Sequence, residues 1–257
     1  MRPHRPAQRG FGVKRWAVWH CCTAVLLLLA ACSDNGDDNP LSAPQQAAVE
    51  WREGQTIVAL GTSLTFGFGS GCKVIPFDFA CALPDSAYPA QLAARLKLPL
   101  VNLGVPGATT RDGLLRLPEA LGHDPALALV ELGANDMFQG VATAEARANL
   151  TAIIEGFHRE GVAVALLSFA HPDMIDTTPA DHWLQNRIED GLAYHQLQLD
   201  LAADYGLPIV EFIFEGIWWR ADLMFDSVHP NGRGYLLLED NIARGLGDFL
   251  AASDLLR

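Results

Sequence analysis

The residues best suited to chemistry are a serine, a histidine and an aspartate that lie far apart in the sequence. Near the C-terminus, Asp226 precedes His229 by three residues, and Pro230 closes this loop. That spacing lets the carboxylate reach one ring nitrogen of His229 while the other nitrogen serves as a base. Far upstream, Ser63 follows the apolar residues 57–60 and a glycine, a pattern that exposes a hydroxyl at the carboxyl end of a strand. Together the three residues indicate acyl transfer to a serine nucleophile.

Two further segments could stabilise the oxyanion that such a reaction creates. Gly107 lies in a glycine-rich turn after an apolar strand, where no side chain obstructs the backbone N–H groups. Asn135 follows a second strand that ends in Gly133, and its carboxamide can donate a hydrogen bond. Three donors could therefore converge on one oxygen, namely the Ser63 amide, the Gly107 amide and the Asn135 side chain.

The order of these segments resembles that of the SGNH (GDSL) hydrolases, above all the small bacterial arylesterases, thioesterases and lysophospholipases. The resemblance extends from about Gln55 to the C-terminus and rests on four blocks, which are Gly61-Thr62-Ser63-Leu64, Gly107, Gly133-Ala134-Asn135-Asp136 and Asp226-Ser227-Val228-His229-Pro230. It implies that Ser63 is the nucleophile, His229 the base and Asp226 its orienting carboxylate. It also implies that Ser63, Gly107 and Asn135 form the oxyanion hole, with no metal or organic cofactor.

The chain departs from the family pattern at two positions. Thr62 stands where the name-giving motif has Asp, and Ala134 stands where a second glycine is common. Since Asp226 supplies the triad acid, the change at Thr62 is expected to affect the turn or the local field at Ser63. A catalytically inactive binding lipoprotein is the alternative that this departure raises, and the intact Ser63 and His229 weigh against it.

The first 31 residues have the pattern of a bacterial lipoprotein signal. Five basic residues precede a largely apolar stretch that ends in Leu29-Ala30-Ala31-Cys32, which resembles a lipobox. An ordinary secretory signal or a membrane anchor is the alternative, but polar residues interrupt the stretch, which falls short of the ~20 apolar residues of a spanning helix. By this resemblance Cys32 carries the lipid, residues 32–54 form a flexible tether, and Ser33 favours the outer membrane of the cell envelope.

Charge restricts the possible partners. The whole chain has a formal net charge of −12, and removal of residues 1–31, with five basic and no acidic residues, takes it to −17. Nucleic acids are disfavoured as partners because phosphate contacts need Lys and Arg. Electrostatic adhesion to anionic lipid is disfavoured too, so the attachment to a membrane is expected to come from the acyl chains on Cys32.

Residues 55–257 are expected to form one α/β domain. Short apolar runs at 56–60, 100–103, 127–132, 162–169 and 208–212 suit parallel strands that are covered on both faces. Helical stretches lie between them at about 89–98, 111–121, 144–160 and 183–205, and a last helix begins near residue 231. This alternation predicts a three-layer α/β/α fold with a mainly parallel, doubly wound sheet.

Other chemistry-bearing residues receive weaker predictions. Cys72 and Cys81 flank a short loop, and a small-loop disulfide is favoured there over free thiols or a metal site. The histidines and aspartates of residues 170–183 fit no metal pattern and are interpreted as a solvated loop. Aromatic residues and methionines near the four blocks could line an acyl pocket or cover the core. Both interpretations stay open for Trp218, Trp219, Met224 and Phe225. A pocket is given more weight for those next to Ser63 and Asn135, within the set Phe66, Phe68, Phe77, Phe79, Met137 and Phe138.

These observations predict an envelope-anchored serine hydrolase that cleaves carboxylic esters through an acyl-enzyme. Its substrate is expected to be a small-molecule or lipid ester. An esterase that removes O-acetyl groups from polysaccharides, or a lysophospholipase or thioesterase that acts on long acyl chains, would use the same residues.

Overall fold

Five parallel strands form a central sheet in the computed structural model, which describes residues 49–71, 84–253 and 255. The strands are β1 (Thr56–Gly61), β2 (Leu100–Gly104), β3 (Pro125–Glu131), β4 (Ala163–Leu167) and β5 (Ile209–Val210), in the order β2-β1-β3-β4-β5. Every residue of β3 and β4 is buried, as strands covered on both faces require. The predicted parallel, doubly wound sheet is confirmed.

Ten α-helices lie in the described part of the chain. They are α1 (Ser63–Phe66), α2 (Tyr88–Leu96), α3 (Thr110–Leu115), α4 (Leu117–Leu121), α5 (Ala134–Gln139), α6 (Thr143–Arg159), α7 (Asp173–Thr177), α8 (Gln185–Tyr205), α9 (Gly232–Gly245) and α10 (Gly247–Ala252). The long helices match their predicted positions to within a few residues. Helices α1, α5 and α7 were not predicted, because one or two turns are too short to show a helical repeat of apolar residues.

The helices form a layer on each side of the sheet. Helix α2 packs against α9 and β2, whereas α6 packs against α3, α4 and α8. An ion pair between Arg95 and Glu239, with Nε and Oε1 2.7 Å apart, joins α2 to α9. The result is the three-layer α/β/α arrangement that the sequence predicts.

The direction of winding changes between β1 and β3. The chain leaves β1 for the edge strand β2 and then returns to β3 on the other side of β1. In the register of the sheet, Gly61 lies beside Gly104 of β2 and Glu131 of β3, so these three strands end at the same level. Ligands of doubly wound sheets bind at such a reversal, beyond the carboxyl ends of the strands.

Two boundaries differ from the sequence-based expectation. Val49 and Trp51 pack against the core, and the Val49 N–H donates to Ser253 Oγ at 3.0 Å, so the folded part includes residues that were assigned to the tether. Residues 170–183 are not simply a solvated loop, because they contain α7 and bury Met174 and Thr178. The predictions for the signal segment, for Cys32 and for the pair Cys72 and Cys81 lie outside the described residues.

No helix within the described ranges has the length and apolar character needed to cross a membrane.

Candidate active site

Ser63 is the first residue of α1, directly after β1. Thr62 is the N-cap, with an extended backbone (φ −103°, ψ −150°) that turns the chain sharply from strand to helix. The turn is so tight that a Cβ on Gly61 would lie 1.9 Å from Thr65 Oγ1. Only glycine can therefore occupy position 61 without displacing Thr65. The Ser63 hydroxyl is held at the carboxyl end of the sheet, as predicted.

The three predicted triad residues meet although Ser63 and His229 are 166 positions apart. Ser63 Oγ lies 2.9 Å from His229 Nε2, and the opposite ring nitrogen, Nδ1, lies 2.8 Å from Asp226 Oδ2. The ring of Phe68 packs against the imidazole with 4.6 Å between ring centroids. The serine, the imidazole and the carboxylate thus form a continuous hydrogen-bonded chain, and a proton can pass from the hydroxyl to the imidazole.

The loop that carries Asp226 and His229 is fixed by its own hydrogen bonds. Asp226 Oδ1 accepts the backbone N–H groups of Val228 and His229, both at 2.8 Å. Asn231 then caps α9 by accepting the Arg233 N–H at 3.0 Å. Burial acts to raise the pKa of Asp226, but the hydrogen bond and charge of His229 and the two N–H groups outweigh it and hold the pKa below its usual value. Asp226 is therefore ionised wherever it must orient the imidazole.

The three residues predicted to supply the oxyanion donors, Ser63, Gly107 and Asn135, line the same cavity. Gly107 adopts φ +83°, a left-handed conformation that favours glycine. Two side chains of α5 hold its turn, because Asn135 Nδ2 donates to the Ala108 carbonyl at 2.9 Å and Gln139 Nε2 donates to the Gly107 carbonyl at 3.1 Å. Asn135 uses one amide hydrogen there and keeps the other for a ligand.

A buried carboxylate ties the elements that carry these donors together. Asp136, at the start of α5, accepts the Thr110 N–H at 2.8 Å and the Thr110 hydroxyl at 2.6 Å. Thr110 opens α3, three residues after Gly107, and its hydroxyl also accepts from Asn149 Nδ2 of α6 at 3.1 Å. Gly107 and Asn135 thereby sit on elements whose spacing is fixed.

The cavity beside Ser63 has a volume of about 320 Å³ and largely apolar walls. The aromatic lining residues are Phe68, Phe138, Phe169 and Trp183; Trp183 is 57% exposed and its ring centroid lies 6.0 Å from that of Phe138. The pocket interpretation is therefore right for Phe68 and Phe138. Trp218 and Met137 are core residues instead, and none of Phe66, Trp219, Met224 and Phe225 lines this cavity. Phe77 and Phe79 lie outside the described residues.

Sequence reasoning missed Glu131, which lies directly behind the nucleophile. It ends β3, is 1% exposed and accepts hydrogen bonds from Thr62 and Thr65. The signal was present, because a lone acidic residue closes an otherwise apolar and fully buried strand. Trp183 was missed as a wall of the cavity, since it was assigned to a helix and nothing local indicates its position.

The described residues contain no cluster of metal-binding side chains. Within residues 49–71, 84–253 and 255, no group of three or more His, Cys, Asp or Glu side chains could hold an ion.

Ser63, His229 and Asp226 form a hydrogen-bonded chain at the point where the winding of the sheet reverses. This arrangement defines the class of serine hydrolases. The sequence places the protein more narrowly. Residues 59–237 match the model of the GDSL-like lipase/acylhydrolase family, to which the chain therefore belongs. The protein is a carboxylic ester hydrolase.

Named relatives and a solved structure are similar to most of the folded part. An arylesterase of Vibrio mimicus is 26% identical over 208 residues, which are 80% of this chain and 92% of that enzyme. The esterase TesA of Pseudomonas aeruginosa is 32% identical over 133 residues, 51% of this chain and 61% of its own length, so that match spans less than two thirds of the relative. A crystal structure of TesA superposes with a TM-score of 0.61 at 28% identity and covers 76% of this chain and 100% of that one.

Proposed function

We propose that the protein hydrolyses carboxylic esters at Ser63, with His229 as general base and Asp226 as its orienting carboxylate. The observation that carries this proposal is the 2.9 Å contact between Ser63 Oγ and His229 Nε2. His229 removes the hydroxyl proton as Ser63 Oγ bonds to the ester carbonyl carbon, and then passes that proton to the departing alcohol. A water molecule repeats the sequence on the acyl-enzyme and releases the acid.

The oxyanion of each tetrahedral intermediate is held by the N–H groups of Ser63 and Gly107 and by Asn135 Nδ2. Ser63, Gly107 and Asn135 all line the cavity beside the nucleophile. They are set before the substrate arrives, because α5 holds the Gly107 turn through Asn135 and Gln139. Preorganised donors of this kind contribute to the transition state in particular, and removal of one costs roughly 10²–10³ in kcat elsewhere.

The walls of the cavity favour esters with an apolar acyl or aryl group. The polar side chains among its described lining residues are Thr62, Ser63, Asn135 and His229, and all four already have roles in or behind the catalytic group. Beyond these, only the indole N–H of Trp183 remains among the described lining residues to bind the hydroxyls of a sugar, which weighs against the polysaccharide O-acetyl esterase. The lysophospholipase or thioesterase alternative remains compatible with the apolar walls.

A panel of p-nitrophenyl esters from acetyl to palmitoyl, measured on wild-type and Ser63→Ala protein, tests the proposal. We expect turnover by the wild type and a loss of at least about 10⁴-fold in Ser63→Ala, because removal of a nucleophile disables the whole triad. A fluorophosphonate probe should label wild type at Ser63 and leave Ser63→Ala unlabelled.

Ser168→Ala is a matched control. Ser168 Oγ also contacts a histidine, His195 Nδ1 at 3.1 Å, but it is buried away from the cavity. This variant should keep both turnover and labelling. An inactive wild type would instead support the binding lipoprotein, and activity retained in Ser63→Ala would refute the assignment of the nucleophile.

We also propose that Cys32 is lipidated and anchors the enzyme in the bacterial cell envelope, facing the periplasm or the cell surface. The lipobox-like Leu29-Ala30-Ala31-Cys32 supports this proposal.

A further inference from the structure

Glu131 is a buried carboxylate that the proposed reaction does not use. It is 1% exposed, and no Lys, Arg or His of the described residues forms an ion pair with it. A buried, unpaired carboxylate is costly unless hydrogen bonds satisfy it. Burial accordingly raises the pKa of Glu131, while hydrogen bonds from Thr62 and Thr65 act in the opposite direction. The groups that donate hydrogen bonds to Glu131 indicate what it does.

The partners of Glu131 are the donors at the start of α1, on both sides of Ser63. Oε2 accepts the Thr62 N–H at 2.9 Å and the Thr65 N–H at 3.3 Å. It also accepts the Thr62 hydroxyl at 2.8 Å and the Thr65 hydroxyl at 3.0 Å. Glu131 thus adds a second cap to α1 from a neighbouring strand, beside the cap that Thr62 provides.

Two of the first three backbone N–H groups of α1 have hydrogen-bond acceptors. The Leu64 N–H donates to Thr62 Oγ1 at 3.4 Å, and the Thr65 N–H donates to Glu131. The Ser63 N–H precedes both of these groups and heads the helix, where a helix offers no internal acceptor. Of the three N–H groups, this one remains for a ligand, and it is the group that the proposed oxyanion hole requires.

A chain of buried hydroxyl groups leads to Glu131. Tyr88 is fully buried in α2. Its hydroxyl has a single proton, and the hydroxyl oxygen lies 2.9 Å from Thr65 Oγ1. Thr65 gives its own proton to Glu131, so it accepts from Tyr88 and a directed chain runs from Tyr88 through Thr65 to the carboxylate. Burial and the nearby Glu131 raise the pKa of Tyr88, which keeps this phenol a donor.

We propose that Glu131 is a positioning residue for the oxyanion hole, which it serves by capping α1 through Thr62 and Thr65 so that the Ser63 N–H faces the substrate. The proposal rests on the function proposed for Ser63. It also gives Thr62 a role, because its hydroxyl both donates to Glu131 and accepts the Leu64 N–H. Valine at position 62 would keep the shape and lose both hydrogen bonds.

The test compares Thr62→Val, Thr62→Ser and Glu131→Gln with wild type on p-nitrophenyl butyrate and with benzeneboronic acid as a probe. In the boronate adduct, Ser63 Oγ bonds to boron, its proton passes to His229, and a boron oxygen occupies the oxyanion position. We expect Thr62→Val and Glu131→Gln to lower kcat by about 10- to 100-fold, a fraction of the effect of deleting a donor. KM should change less than threefold, and the inhibition constant of the boronate should rise in proportion to the loss in kcat.

Rescue and control variants make the outcome decisive. Thr62→Ser keeps the hydroxyl and should restore kcat and boronate affinity to within threefold of wild type, whereas Glu160→Gln removes an exposed carboxylate at the end of α6 and should change neither. If Glu131→Gln does not fold, the contrast between Thr62→Val and Thr62→Ser decides the matter alone. Unchanged kcat and boronate affinity in folded Thr62→Val would overturn the inference, while failure of wild type to react with a fluorophosphonate would overturn the proposed function.

Discussion

Thr62, the residue that departs from the family motif, faces Glu131. Its hydroxyl lies 2.8 Å from Glu131 Oε2, and its backbone N–H donates to the same oxygen at 2.9 Å. The family aspartate would bring a second carboxylate to this buried position. An aspartate at position 62 would therefore alter the turn before Ser63 and the protonation of Glu131, because two like charges in a shared site disfavour double ionisation.

Thr62→Asp should make stability depend on pH. Burial already raises the pKa of Glu131, and a second carboxylate should raise the pKa of the pair further. The folded state would then hold a proton at pH values where the unfolded chain has released it, so stability falls as pH rises above about 4.5. We expect Thr62→Asp to lose roughly 1–3 kcal/mol more than wild type between pH 5 and pH 8.

Urea unfolding at pH 5 and pH 8 measures this difference. Thr62→Asn is the control, because it has the shape of aspartate without the charge and its stability relative to wild type should not change with pH. The same deficit at both pH values in Thr62→Asp would show that the two carboxylates do not interact.

At the level of elements, three strand ends and the short helices beyond them build the site. Helices α1, α3 and α5 follow β1, β2 and β3, and each begins within a few residues of a predicted catalytic group. Asp136 of α5 joins α3 by accepting two hydrogen bonds from Thr110. Gly107 lies three residues before Thr110, and Asn135 lies directly before Asp136. The relative position of Gly107 and Asn135 therefore depends on this link.

Thr110→Val should weaken both stability and turnover. It removes the 2.6 Å hydrogen bond to Asp136 Oδ1 and leaves a fully buried carboxylate with fewer donors. Loss of one partner of a buried polar group costs about 1–3 kcal/mol. We expect a stability loss of that size by urea unfolding and a lower kcat on p-nitrophenyl butyrate, as α3 and α5 shift relative to each other.

The comparison variant is Thr143→Val, which changes an exposed threonine at the start of α6. It should leave kcat unchanged and alter stability little. A stability loss in Thr110→Val with an unchanged kcat would mean that the link between α3 and α5 does not position the oxyanion donors.

At the scale of the whole molecule, an acidic catalytic domain is joined to a lipoprotein-like N-terminus. The formal net charge of the chain is −12, and no helix within the described residues could cross a membrane. This acidic charge disfavours electrostatic attachment to an anionic surface, and we propose attachment through acyl chains on Cys32. Because the Ser63 site belongs to the folded domain, its chemistry is expected to be independent of that attachment.

Cys32→Ser should release the enzyme from the membrane without loss of activity per molecule. An alkyne-tagged palmitate fed to producing cells should label wild type and fail to label Cys32→Ser, which should move to the soluble fraction. Cys22→Ser, which changes a cysteine of the same signal segment, should be labelled and sediment like wild type. Labelling of Cys32→Ser would refute the anchor at this residue.

Local sequence determined those parts of the protein that depend on neighbouring residues. The alternation of apolar runs and helical stretches predicts the sheet and its long helices, because burial on both faces of a strand leaves a continuous apolar run. The pairing of Asp226 with His229 is equally local, since they are three positions apart and the carboxylate also binds the intervening backbone. The order of the four blocks then indicated the family and its ester chemistry.

Tertiary structure alone decided which distant residues support that chemistry. Glu131 lies behind Ser63 because β3 pairs with β1 in a register that places it beside Gly61, and local sequence does not fix a register. Trp183 and Phe138 meet at the mouth of the cavity although 45 positions separate their rings in the chain. Contacts between elements depend on strand order and packing, so the chain by itself identified the reacting groups, and the fold identified the groups that hold them in place.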